Sequence, residues 1–164
     1  MKYILFLFSL LVSSEVMSQT FYSDLLNNPI DGQHGFVGNG DIQFHQFSDT
    51  PDSVVVFGIS DSYFCEDSFF GVEFAIMVNG VWKNHQITLY PYNASEWAYL
   101  DFHINDPFIQ DLIRGSKYVY KYVDAHCSVE RGEGSLAGVT AGFKKAGIPT
   151  KWKDGVDYGT SFWD

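Results

Sequence analysis

The chain has 164 residues, 46% of them hydrophobic and 18% aromatic against only 18% charged. That composition excludes the weakly hydrophobic, highly charged signature of a disordered segment, and the length suits one ordinary domain with a continuous core. Twenty acidic residues against ten basic ones give a formal charge of −10, which repels phosphate and argues against nucleic acid or an anionic membrane surface as a partner. A basic partner stays open, although acidity serves solubility as readily as binding.

Residues 1–18 read as an export signal. Lys2 supplies a short positive region, and Tyr3 to Val12 form an apolar run too short to span a bilayer. Val16 and Ser18 sit at the two positions a signal peptidase reads. Ser13, Ser14 and Glu15 interrupt the apolar run, and no basic stop-transfer cluster follows. Cleavage near Ser18 is expected. With no cysteine there to carry a lipid, the mature chain is expected in the periplasm or outside the cell, without a membrane span. In an oxidising compartment the even pair Cys65 and Cys127 reads as a disulfide, contributing about 4 kcal/mol in the chain-entropy model. The alternative is two buried free thiols.

After the signal, Phe21 to Leu26 suggests a short helical turn. Residues 27–41 hold five glycines or prolines, so 19–41 is expected to be a loop-rich segment. A β-rich domain is expected over 42–148. Short-period apolar alternation marks strands at Ile42–Phe47, Val54–Ile59, Val72–Val78, Ile87–Leu89 and Trp97–Phe102. Asn79-Gly80 is a two-residue hairpin signal between Val78 and Val81. Asp106-Pro107 then predicts a helix start, followed by Phe108, Ile109, Leu112 and Ile113 at helical spacing before Gly115.

Tyr118 to Ser128 returns to strand chemistry, with Tyr118, Tyr120 and Tyr122 on one face and a bulge expected near Asp124. Arg131 to Gly134 reads as a turn. Ser135 to Ala146 reads as a second helix, capped by Ser135 and stopped by Gly147 and Pro149. Residues 149–164 form an aromatic tail, part of which should pack back onto the domain. Six or seven strands with two late helices predict a mainly β, α+β single domain resembling an antiparallel β-sandwich. Length and aromatics would permit an eight-stranded outer-membrane barrel, but the helical segments and the terminal Asp164 argue against one.

Catalytic signatures are scarce. His34, His45, His85, His103 and His126 include no pair at the helical spacing of a metalloprotease. His126 and Cys127 are strand neighbours pointing to opposite faces, a poor chelating pair. Asp61, Glu66 and Asp67 offer hard oxygen ligands for calcium, but their spacing is not an EF-hand's and a solvated acidic loop explains them.

Gly132, Gly134 and Gly138 lack the dinucleotide spacing and read as turn and helix-packing glycines. There is no Gly-x-Ser-x-Gly elbow, and nothing picks out a pair of glycosidase carboxylates. No catalytic residue, metal or cofactor is therefore assigned. Asn93-Ala94-Ser95 matches a glycosylation acceptor. Trp82, Tyr90, Tyr92, Trp97 and Tyr99 fall on and between adjacent predicted strands, where they form either a recognition surface or the filling between two layers.

From Tyr99 to Phe143 the order is an extended strand, Asp106-Pro107-Phe108-Ile109-Gln110-Asp111-Leu112-Ile113-Arg114-Gly115, the strand Lys117 to Ser128, and Ser135-Leu136-Ala137-Gly138-Val139-Thr140-Ala141-Gly142-Phe143. This resembles the end of small exported bacterial proteins of the invasion-associated locus B type, and of a periplasmic accessory protein of type VI secretion. The resemblance implies a β-sandwich without a known catalytic centre, and it carries over no functional residue. One departure is Gly134, where those proteins commonly have an aromatic.

Export, negative charge and absent catalytic signatures together predict a non-catalytic binding or accessory protein of the envelope or exterior. Its expected partner is a protein, in the manner of an acidic inhibitor or immunity protein covering a basic enzyme. The alternatives are an envelope hydrolase using carboxylates and a histidine, which requires a pocket of convergent ionisable groups, and a carbohydrate-binding module, which requires coplanar exposed aromatics.

Overall fold

The computed structural model describes residues 21–28, 32–47, 51–60, 70–91, 97–123 and 128–153. Both cysteines, residues 1–18 expected as an export signal, Asp61, Glu66, Asp67, Tyr92, Asn93-Ala94-Ser95, Asp124, His126 and the tail beyond Lys153 lie outside the described residues. The strands are β1 (Tyr22–Asn28), β2 (Gly32–Gly38), β3 (Ile42–Phe47), β4 (Val54–Ser60), β5 (Phe70–Val78), β6 (Val81–Pro91), β7 (Trp97–His103), β8 (Lys117–Val123) and β9 (Val129–Ser135). Helix α1 (Pro107–Arg114) lies between β7 and β8, and α2 (Val139–Lys145) follows β9. The expected mainly β, α+β class is what the chain adopts.

The strands form one antiparallel sheet in the order β1-β2-β3-β4-β7-β6-β5-β8-β9. Two of them, β7 and β6, separate β4 from β5. On a flat sheet the outer pair would stand about 14 Å apart, three strand spacings. Yet the rings of Phe57 on β4 and Phe74 on β5 have centroids 5.8 Å apart. The sheet therefore curls, and its halves face each other across the core. β6 makes the turn: it pairs with β5 from Val81 to Leu89 but with β7 only at Tyr90 and Pro91.

Phe108 of α1 wedges between the halves, 5.0 Å from Phe57 and 5.1 Å from Phe74. Around it lie Phe44, Ile59, Ile76, Leu89, Ile109 and Leu112, all essentially inaccessible. Leu136, Val139 and Ile113 are also buried. A polar clamp joins the halves at one end. Asn39 Nδ2 donates to the Tyr118 hydroxyl at 3.0 Å, and that hydroxyl donates to Asp41 Oδ2 at 3.2 Å.

Local chemistry sets several of these elements. The Asp106 carboxylate accepts the Phe108 N–H at 2.8 Å and caps α1, with Pro107 at the first helical position. Asn79 (φ 51°) and Gly80 (φ 81°) turn β5 into β6, with the two left-handed residues that a type I′ hairpin needs. Tyr118, Tyr120 and Tyr122 share the buried face of β8, as the alternation predicts. Of the aromatic tail, Trp152 packs against the core, and its backbone exchanges two hydrogen bonds with the Asn105 side chain.

Two expectations are corrected. Residues 22–28 and 32–38, expected as a helical turn and loop, pair as the antiparallel strands β1 and β2. The glycines that read as loop punctuation are packing sites: a β-carbon on Gly35 would come 2.6 Å from the Ala146 carbonyl oxygen, where the chain leaving α2 crosses β2. Arg131 to Gly134, expected as a turn, belongs to the edge strand β9. Gly132 faces Tyr120 and Gly134 faces Tyr118, and each tyrosine ring fills the space that a side chain there would need. The second helix consequently begins later than Ser135. Gly138, in the left-handed region at φ 99°, redirects the chain into α2, while the Ser135 hydroxyl accepts only the Ala137 N–H in the preceding turn.

Candidate functional site

The face of β1, β2, β3, β4 and β7 turned away from the core carries an aromatic patch built by strand register. Direct cross-strand partners share a face. One line runs Tyr22, Gly38, Gln43, Gly58, Tyr99, Tyr90 from β1 to β6. A neighbouring line runs Asp24, Phe36, His45, Val56, Asp101. Both helices lie on the other side: α2 brings Gly142 against Val37, and α1 inserts Phe108 into the core.

Two glycines let rings lie flat on this surface. The Phe36 ring covers Gly38, whose added β-carbon would fall 2.7 Å from Phe36 Cζ. Tyr99 leans across β4 over Gly58, and its hydroxyl reaches the Gln43 side-chain amide on β3, which donates to it. This half-burial pushes the Tyr99 phenol up to about 12 by desolvation.

Ring contacts make the patch continuous. Tyr22 meets Phe36 at 5.3 Å, Phe36 meets His45 at 4.9 Å, and His45 meets Tyr99 at 5.7 Å. Phe47 stacks on His45 at 5.5 Å, and Trp97 stacks on Tyr99 at 6.2 Å. Tyr22 is 58% exposed, Phe47 38% and Tyr90 37%, whereas Phe36, Trp97 and Tyr99 are half-buried. Asp24 and Asp101, both exposed, bound the patch on opposite sides.

Of the aromatics singled out in the sequence, Tyr90, Trp97 and Tyr99 meet here, on the outer surface rather than between the layers. Trp82 does not join them. It stands opposite Met77 near the start of β6, on the other half of the sheet. Tyr92 lies outside the described residues. Tyr22, Phe36, Gln43, His45 and Phe47 were not anticipated as site residues. The signal for three of them was the alternation of Gln43, His45 and Phe47 against Ile42 and Phe44.

A cluster of ionisable groups also forms at α1. Asp111, nearly buried, takes Lys83 Nζ on one oxygen at 2.8 Å and His85 Nε2 on the other at 3.1 Å. The Phe108 ring closes on His85 at 5.5 Å. Both carboxylate oxygens are thus engaged by β6, and the cluster fastens α1 to the sheet. Among the described residues no group of three or more His, Cys, Asp or Glu is arranged to hold a metal, and no helix is long and apolar enough to cross a membrane. No family model, curated protein or solved structure matches the chain.

Proposed function

We propose that the protein is an exported, non-catalytic binding protein whose aromatic outer face takes a basic protein partner, as an inhibitor or immunity protein does. The observation that carries this reading is the single patch holding exposed Tyr22, Phe47 and Tyr90 around half-buried Phe36, Trp97 and Tyr99. Aromatic side chains bring large contact area at low conformational cost and concentrate binding energy at protein interfaces. Asp24 and Asp101 at the margins, and a formal charge of −10 for the chain, favour a basic rim on the partner and speed the encounter.

Along the patch rings meet at 38° (Tyr22 and Phe36), 62° (Phe36 and His45) and 79° (His45 and Tyr99), while the pairs His45–Phe47 (2°) and Trp97–Tyr99 (20°) lie parallel, a mixed relief that offers both flat rings and edges to a partner's side chains. The resemblance to small exported bacterial proteins, which rests on residues 99–143, points to the same compartment.

The Cys65–Cys127 disulfide belongs to this proposal. Val72 on β5 pairs with Tyr122 on β8, so the start of β5 and the end of β8 lie side by side. Strand ends that close favour a bridge between a cysteine shortly before β5 and one shortly after β8.

Capture from an envelope extract on the immobilised mature chain tests the reading. A basic protein retained stoichiometrically and released by salt is the expected result. Recovery of no stoichiometric protein at low and moderate salt would overturn it.

A further inference from the structure

The other half of the sheet holds an open hollow of about 760 Å³ on its outer face. Register again builds it. Across β6, β5, β8 and β9 one line runs Asn84, Ala75, Val119, Glu133, and the next runs Gln86, Glu73, Lys121, Arg131. Small Ala75 and Val119 leave the centre low, while long polar side chains stand around it. Trp82, 45% exposed, is not part of the lining; it lies on the same face of β6 two residues before Asn84, one row beyond the hollow.

The lining selects a chemistry. Glu73 and Glu133 are offset by Lys121 and Arg131, so no net charge favours an ion. Glu73 pairs with Lys121 at 2.9 Å, whereas among the described residues neither the Arg131 nor the Glu133 side chain has an ion-pair or hydrogen-bond partner. A guanidinium that donates and a carboxylate that accepts therefore sit two residues apart on β9, across the hollow from the Asn84 and Gln86 amides, which do both. A ligand with adjacent hydroxyls satisfies all of them, since each hydroxyl both donates and accepts. The exposed indole offers an apolar face for the C–H side of a ring.

We infer that this hollow is a binding site for a neutral saccharide, with Trp82 as the stacking platform and Asn84, Arg131 and Glu133 holding hydroxyls. Its volume lies within the range of small-ligand sites and accommodates a short oligosaccharide. The site is separate from the aromatic patch on the opposite half, and the inference does not depend on that patch's partner.

Calorimetric titration of the mature chain with a panel of neutral oligosaccharides (cello-, malto-, xylo- and N-acetylchito-oligomers) tests this. The expected result is saturable binding by at least one series, insensitive to salt, and weakened roughly tenfold in Trp82→Ala and in Glu133→Gln. A Tyr22→Ser/Tyr90→Ser double variant should bind the sugar unchanged, and the melting temperatures should show that all variants are folded. The inference is overturned if no neutral oligosaccharide binds, if Trp82→Ala binds as tightly as wild type, or if only charged uronate oligomers bind and salt abolishes it.

Discussion

The ring of Tyr99 lies over the backbone of its cross-strand partner Gly58, where a β-carbon would come within 2.5 Å of ring atoms Cδ1 and Cε1. That close approach is what carries a β7 phenol across β4 to the Gln43 amide and levels the centre of the aromatic patch. Gly58→Ala should therefore cost about 1–3 kcal/mol through overpacking and swing the Tyr99 ring outward. Chemical denaturation reads the first effect, and the near-ultraviolet circular dichroism of the aromatic residues reads the second. Unchanged stability together with an unchanged spectrum would refute this role for Gly58.

A second glycine test concerns the edge strand. Tyr120 fills the space above Gly132, so Gly132→Ala should loosen β9 from β8, at a cost again of about 1–3 kcal/mol and with faster amide exchange along β9. Gly71 provides the contrast, because a β-carbon there would meet nothing within 4 Å. Gly71→Ala should be neutral or stabilising by up to about 1 kcal/mol, since alanine loses less freedom in a strand. Equal effects at the two positions would show that packing does not distinguish them.

Helix α1 depends on its cap. Asp106→Ala removes the acceptor of the Phe108 N–H and should destabilise the protein by about 1 kcal/mol, whereas Asp106→Asn should retain most of that stability. Parallel thermal melts of the two variants would separate a capping role from one that needs the negative charge.

Alkaline pH should unfold the protein through its tyrosines. Burial pushes Tyr99 up to about 12 and Tyr118 higher still, the latter with added unfavourable proximity to Asp41. Tyrosines in the unfolded chain ionise near 10. Both folded values are raised, so the contribution of these phenols is fully present below about pH 10 and is lost as pH climbs through 12, when the unfolded chain releases protons more readily than the folded one. Tyrosinate absorbance followed alongside far-ultraviolet circular dichroism should show the last tyrosines ionising together with loss of the fold. Ionisation of every tyrosine near pH 10 with the fold intact would contradict the burial assigned to these two.

What could be read from the sequence was local. The Asp106-Pro107 cap, the Asn79-Gly80 turn and the tyrosine alternation of β8 each depend on neighbours within a few residues, and each appears where the sequence places it. The strand pair β1–β2 and the strand β9 were misread because their glycines answer to distant residues. Gly35 answers to Ala146 and Ile148, and Gly132 to Tyr120 across the ladder. The site divides the same way. Tyr90, Trp97 and Tyr99 stood out by composition, but the lines joining them to Tyr22, Phe36 and His45 exist only once β1 to β4 are in register.

The central claim is that the aromatic face binds a protein. It is tested most directly by repeating the envelope capture side by side with wild type and a Tyr22→Ser/Tyr90→Ser variant, whose changes fall on exposed rings and leave the core intact. The account predicts that a basic protein is held stoichiometrically by wild type and lost from the variant. Retention of that protein at an equal level by the variant would contradict it.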